Sequence, residues 1–342
     1  MAGSILEKMC ACASLFENAG SYVLIGHQRA DGDAIGTMAA LYYRLVSQGR
    51  TVTPFLFEEI PRRYEFLGFQ EHVTLFDSAS AEHAALVQGA DVVVILDASS
   101  DDRLPGWQPL LAARRGSLVR FDHHPSSVPG GADIDMTDTS ACATGQIVLE
   151  FMKLDGIGFS PEEAQALFVA IAADTGWFRY SNTNRAAFRQ VSDLLDCGVA
   201  PAEIFRSIYQ CNELPLIRLA GRVVSTIEEE MDGRLLWGTI DRALVEETGL
   251  KNDFETDILM DLLRSSRKAV CVALFREGED GRVRVNLRSK GDVAVNGVAE
   301  MFGGGGHRNA AGATLDDANL DEAAGNVVDA LRHVLVETKK RK

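Results

Sequence analysis

Residues 92–97 read V-V-V-I-L-D, five consecutive apolar residues closed by a carboxylate. An apolar run without alternation fits a strand buried on both faces, which requires a parallel sheet with helices on either side. The N-terminal half repeats this pattern. Apolar runs at 22–26, 52–57 and 118–121 alternate with helical spacing at 34–47 (Ile35, Met38, Leu41, Tyr42, Leu45), near 140–154 and near 161–173, after an amphipathic segment at 4–18. Such alternation implies the α/β class and a parallel sheet. In open α/β sheets ligands lie beyond the carboxyl ends of the strands. Here those ends carry Gly26-His27, Asp97 and Asp122-His123-His124.

Four segments concentrate acids and imidazoles: H-Q-R-A-D-G-D at 27–33, L-D at 96–97, F-D-H-H-P at 121–125 and A-D-T-G at 173–176. Together they read as one divided metal site. Imidazole and carboxylate without thiolate suit a hard or borderline divalent cation such as Mn²⁺ or Mg²⁺. Five Asp and three His exceed the needs of one ion, which implies two. His27 and Asp31, four residues apart, can converge on one ion, and Asp33 can face a second. Gly32 gives the backbone room to fold the acids inward. The plainer role for Asp31 or Asp33 is to cap the helix that follows. Asp97 would be costly at the end of so apolar a strand unless it meets a cation, so it is the candidate bridge. Its plainer role is a turn cap with Ser99 or Ser100. Asp122 suits an acid orienting a ligand histidine, His123 the ligand, and His124 a contact to substrate phosphate. Asp174 ends an apolar helix, where a carboxylate opposes the helix dipole unless it meets positive charge.

The character changes after about residue 185. Helical segments at 185–197 and 201–210 read as a connector, and Pro215 as a break. Runs at 223–230 and 235–240 flank Asp232-Gly233, and runs at 270–275 and 283–287 flank Glu279-Asp280-Gly281, two hairpin patterns. Helices are predicted at 241–249, 255–265, 294–302 and 320–337, with a glycine-rich loop at 303–306 and a strand at 310–315. The predicted division is 1–188, a helical connector at 189–220, and a smaller α+β domain at 221–342, with a cleft between the two domains. Gly303, Gly304, Gly305 and Gly306 expose N–H groups that can cradle an anion, and His307 with Arg288-Ser289-Lys290 supports that reading over a plain turn. Phe178 and Tyr180 fit either base stacking or core packing. The basic tail Lys339 to Lys342 is most simply a solvated helix end.

The net charge of −15 argues against a groove for long nucleic acid but admits small phosphorylated ligands held through bound cations. The six cysteines have neither zinc-ligand nor redox spacing, which suits reduced thiols in the cytoplasm. Glu7, Lys8 and Glu17 make the first segment a surface helix rather than a signal peptide. No apolar run approaches the ~20 residues of a membrane span.

These motifs resemble the DHH phosphoesterase superfamily, whose pattern is H-x-x-x-D-G-D, strand-Asp, D-H-H and A-D-T-G in that order. The G-G-G-H segment with an upstream Arg-Ser resembles the DHH-associated C-terminal domain. Within the superfamily, H-Q-R-A-D-G-D-A-I-G, F-R-Y-S-N-T and G-G-G-G-H-R-N-A-A-G-A look most like the bifunctional oligoribonuclease and pAp phosphatase group. The resemblance implies one Mn²⁺ held by His27, Asp31 and Asp97, and another held by Asp33, Asp97, His123 and Asp174. It places His124 on the scissile phosphate, beside the catalytic Asp97 and Asp122. Arg288, Ser289, Gly304, Gly305, Gly306 and His307 would hold the nucleotide. Ala30 stands where members often have Pro, which alters loop stiffness and not ligation. The implied reaction is two-metal hydrolysis of oligoribonucleotides of about two to five residues and of 3′-phosphoadenosine 5′-phosphate (pAp). A cyclic or linear dinucleotide phosphodiesterase and a nucleotide sensor without turnover are the alternatives. The sequence leaves the oligomeric state, a homodimer included, open.

Overall fold

The computed structural model describes residues 5–98, 100–125, 131–250, 254, 256–316 and 319–340. Ser99, Arg341, Lys342 and the side chains of His307, Lys339 and Lys340 lie outside the described residues. The chain forms two compact units, Met1–Cys211 and Asn212–Lys342.

The first unit is built on β1 (Ser21–Ile25), β2 (Thr51–Leu56), β3 (Thr74–Leu75), β4 (Val92–Leu96), β5 (Ser117–Asp122) and β6 (Ile134–Thr137). All neighbours are parallel, in the order β3-β2-β1-β4-β5-β6. The chain runs outward from β1 to one edge and then returns to lay β4 on the other side of β1. That reversal opens a crevice beyond the carboxyl ends of β1 and β4. All five residues of β4 are buried, because both faces are covered. Val92, Val94 and Leu96 pack with Leu24, Phe121 and helices Gly32–Ser47, Thr144–Met152 and Pro161–Asp174. Val93 and Ile95 pack with Ile25, Val87, Leu118 and Trp107 on the other face. Burying a Val or Ile side chain stabilises by about 1.5–3 kcal/mol, so this strand anchors the sheet. Helices Arg185–Asp196 and Pro201–Tyr209 add Val191, Leu194, Ile204 and Ile208 to the same core.

The second unit contains β7 (Glu228–Glu230), β8 (Leu235–Ile240), β9 (Cys271–Glu277), β10 (Val283–Ser289), β11 (Gly305–His307) and β12 (Ala310–Leu315). Their order is β11-β12-β10-β9-β8-β7, with β8–β9 parallel and the other pairs antiparallel. Helices Leu214–Ser225 and Asp257–Ser265 pack on one face through Leu219, Val223, Leu259 and Leu263. Helices Asn296–Met301 and Leu320–Lys340 cover the other through Val298, Val327 and Leu331.

Three expectations need correction here. Pro215 does not break the chain but lies in the first turn of Leu214–Ser225, where its missing N–H has no helical partner to lose. That helix takes Val223, so the hairpin partner of β8 is confined to Glu228–Glu230. The expected glycine loop is in part the edge strand β11. Gly306 has φ +136, and a Cβ there would lie 2.6 Å from the Ala310 carbonyl oxygen, so the pairing with β12 requires glycine.

Candidate metal site

The polar residues at the ends of β1, β4 and β5 meet those at the ends of two helices. In the loop after β1, His27 is 1% exposed, and its Nδ1 lies 2.8 Å from the Gln28 carbonyl. That carbonyl accepts a hydrogen bond from Nδ1–H and leaves Nε2 to face Asp97 Oδ2 at 3.3 Å and Asp31 Oδ1 at 3.8 Å. Asp31 also caps helix Gly32–Ser47, with Oδ1 accepting from Asp33 N and Ala34 N. The capping role and the site role thus fall on one residue. Asp33 is buried at the N-terminus of a second helix, accepting from Thr144 N at 2.6 Å, Gly145 N at 2.9 Å and Thr37 Oγ1 at 3.1 Å.

Asp97 lies at the centre. Its backbone is left-handed, φ +59, which Asp tolerates better than most residues but at some strain. Oδ1 accepts from Thr144 Oγ1 at 2.8 Å and lies 3.7 Å from His123 Nε2. His123 Nε2 also faces Asp174 Oδ2 at 3.3 Å and Asp33 Oδ2 at 3.9 Å. It is buried without a hydrogen-bond partner. Asp122 turns out to orient His124 and not His123: Asp122 Oδ1 is 2.8 Å from His124 Nδ1 and accepts from its backbone N–H at 2.9 Å.

Three groups of residues each converge within 4.8 Å: His27, Asp31 and Asp97; Asp33, His123 and Asp174; and Asp97, His123 and His124. The electrostatics show what they lack. Burial, then the charges of their neighbouring carboxylates, pushes Asp33 and Asp174 well above the usual range. Asp97 is buried and Asp31 partly so, which opposes ionisation, yet their hydrogen bonds with His27 hold both carboxyls below the usual range. His27 is raised to about 10 against its own burial, by its hydrogen bonds to Asp31 and Asp97. Burial lowers His123, leaving a neutral imidazole, the form that ligates. Four carboxyl groups thus crowd one space with too little positive charge among them, and the unpartnered His123 Nε2 points into it. Divalent cations fit this set: they supply the missing charge and accept the lone pairs.

Sequence reasoning missed Thr144 and Gly145, which fix Asp33 and Asp97. Their motif, A-T-G, has no chemical signature of its own. It also missed Arg103, whose Nη2 lies 3.3 Å from His27 Nε2. Phe178 is half-buried and packs against Phe168, Trp177 and Phe188, whereas Tyr180 is exposed.

In the second unit, Arg288 Nη1 donates to the Leu287 carbonyl, and Nη2 stands 3.6 Å from Asp257. Ser289 is buried, donating to the Val293 carbonyl at 2.6 Å and accepting from Asn309 Nδ2 at 2.8 Å. Its hydroxyl therefore organises the loop that follows β10. Gly304 precedes β11, and Gly305 and Gly306 belong to it.

Comparison with known proteins agrees with this geometry. The DHH family N-terminal domain matches residues 21–171, and the DHHA1 domain matches residues 243–337. The bifunctional oligoribonuclease and PAP phosphatase NrnA of Thermus thermophilus is 32% identical over 96% of this chain and 95% of its own length. The protein of the same name from Bacillus subtilis is 26% identical over 86% of this chain and 88% of its own. A crystal structure of an exopolyphosphatase-related protein from Bacteroides fragilis shares the fold, with TM-score 0.89 at 24% identity, covering 98% of this chain and 97% of that one. With Asp122-His123-His124 set at the end of β5 among the other acids, the chain belongs to the DHH family of phosphoesterases, in the form that also carries a DHHA1 domain.

Proposed function

We propose that this protein hydrolyses short oligoribonucleotides to mononucleotides and pAp to AMP. The observation that carries the proposal is the convergence of His27, Asp31, Asp33, His123 and Asp174 about Asp97, in a chain 32% identical along 96% of its length to an enzyme named for those two activities. His27, Asp31 and Asp97 would hold one divalent cation, and Asp33, Asp97, His123 and Asp174 the other. Mn²⁺ is the proposed ion, because a mixed imidazole and carboxylate set suits it better than the all-oxygen shell of Mg²⁺. Two such ions supply Lewis acidity at the phosphate and a nucleophile available at neutral pH.

The chain's own residues do the rest. Left-handed Asp97 and helix-capping Asp31 are fixed before substrate arrives, so little reorganisation is needed. Against its burial, the hydrogen bond to Asp122 and the charge of Asp97 raise the His124 imidazole above its usual value. It can donate to a phosphate oxygen, or to the ribose oxygen that leaves as the P–O bond breaks. Arg288, the N–H groups of Gly304, Gly305 and Gly306, and His307 are the proposed contacts to the nucleotide, with Ser289 ordering the loop beneath Arg288. The cytoplasm is the proposed location. The six cysteines are free thiols, and no helix among the described residues is long and apolar enough to cross a membrane.

The test is hydrolysis of pAp, pApA, c-di-AMP and 5′-labelled RNA of graded length, in Mn²⁺ and in Mg²⁺, beside Asp97→Ala. Turnover of pAp and of the shortest RNAs, lost in Asp97→Ala, is the expected result. Turnover of c-di-AMP or pApA alone would reassign the enzyme to dinucleotide signalling. No turnover of any substrate would sink the proposal.

A further inference from the structure

Arg103 closes the short helical turn Asp101–Arg103 that follows β4. Its carbonyl accepts from Gln28 N at 2.9 Å, tying this turn to the loop after β1. Its side chain is half-buried, with Nη2 3.4 Å from His27 Nδ1 and 3.3 Å from His27 Nε2. Near-equal distances to both ring nitrogens mean that the guanidinium lies against the imidazole as a whole. Neither nitrogen is a good acceptor for it, since Nδ1 is engaged with the Gln28 carbonyl and Nε2 faces Asp97 and Asp31.

A guanidinium carries five donors in a planar fork. Among the described residues no carboxylate comes within ion-pair distance of this one, although four surround the site. A cation beside an acid cluster that pairs with none of its members is placed for an anion from outside. The fork matches two oxygens of a tetrahedral phosphate, which a lysine, as a point charge, does not.

We infer that Arg103 is a catalytic residue that clamps the phosphoryl oxygens of the scissile group, acting with His124 beside the proposed cations. The inference rests on the phosphoesterase reading above. It assigns Arg103 a contact to substrate and none to the ions.

The experiment compares wild type, Arg103→Gln and Arg103→Lys by three measurements. Calorimetric titration gives Mn²⁺ affinity without substrate. Inorganic phosphate, titrated into the protein loaded with Ca²⁺, gives anion affinity. Steady-state kinetics on pAp give kcat and KM. Arg103→Gln is expected to bind Mn²⁺ within about twofold of wild type, to weaken phosphate binding about tenfold, and to lower kcat/KM by roughly 10²–10³-fold, as loss of one oxyanion donor does. Arg103→Lys is expected to recover part of the phosphate affinity and less of kcat. Unchanged phosphate affinity in Arg103→Gln would overturn the inference. So would a parallel loss of Mn²⁺ affinity, which would make Arg103 a positioning residue for His27. A wild-type protein inert toward pAp and RNA would refute the functional reading instead, and the phosphate titration would still decide whether Arg103 binds phosphate.

Discussion

At the residue scale the site is a problem in charge. His27 among its carboxylates binds a proton far more tightly in the folded chain than in the unfolded one, about 10 against the usual 6.5. Between those values the folded state carries a proton that the unfolded state has released, so unfolding free energy falls as pH rises. This contribution is fully present below pH 6.5 and is lost as pH passes through about 10. Asp33 and Asp174, also raised, act with the same sign in their own windows above 3.8. In EDTA the thermal midpoint is therefore expected to fall from pH 7 to pH 9, and more shallowly in His27→Gln. Saturating Mn²⁺ should reverse the slope, because ligation needs Nε2 deprotonated and releases its proton. Scanning calorimetry across that range decides it, and an equal slope in His27→Gln and wild type would refute the account. Residues of distinctive chemistry were legible in the sequence, His27, Asp97 and His123 among them. Thr144, Gly145 and Arg103 were not, because a hydroxyl, an N–H and one more guanidinium gain meaning from position alone.

At the element scale, two helices set the spacing of the acids. Gly32–Ser47 carries Asp33 near its start, and Pro161–Asp174 ends in Asp174. They approach closely because small residues line the crossing: a Cβ on Gly36 would lie 2.5 Å from the Ala166 carbonyl oxygen and 2.9 Å from Ala170 N. Away from the site, buried Arg44 joins the same pair of helices, bidentate on Glu163 at 2.8 Å and also bonded to Asp155. Gly36→Ala must separate helices that Arg44 holds together, and is expected to destabilise by about 1–3 kcal/mol, as overpacking does. It should weaken Mn²⁺ binding as well, since Asp33 and Asp174 move apart while neither is altered. Chemical unfolding in EDTA and Mn²⁺ titration measure the two effects; a destabilised variant with wild-type metal affinity would show that the crossing does not set the site. The sequence carried these helices and the long strands through their apolar periodicity. It did not disclose β3, only Thr74–Leu75, or β6, whose I-D-M-T offers no apolar run. Pro215 misled because one residue type serves both to stop a helix and to start one.

At the scale of the molecule, the chain carries −15 and its proposed substrates are themselves anions. A nuclease that clamps long strands through six to ten basic contacts loses roughly 10³–10⁵ in affinity between 50 and 200 mM salt. This protein should show the opposite sign. The phosphate at the reacting centre would meet the proposed cations, but each further phosphate lies in the field of an acidic molecule, and that repulsion is screened over about 10 Å at 0.1 M salt. Electrostatics therefore supplies a length penalty by itself. Two outcomes are expected for kcat/KM as salt rises from 50 to 200 mM at saturating Mn²⁺. Values for dinucleotides should change by less than about threefold, and values for decamers should rise, so that the ratio between them narrows severalfold. A ratio that stays fixed would mean that a steric stop, not charge, limits substrate length. Decamer hydrolysis that falls steeply with salt would mean instead that a basic track hidden in the summed charge guides the strand.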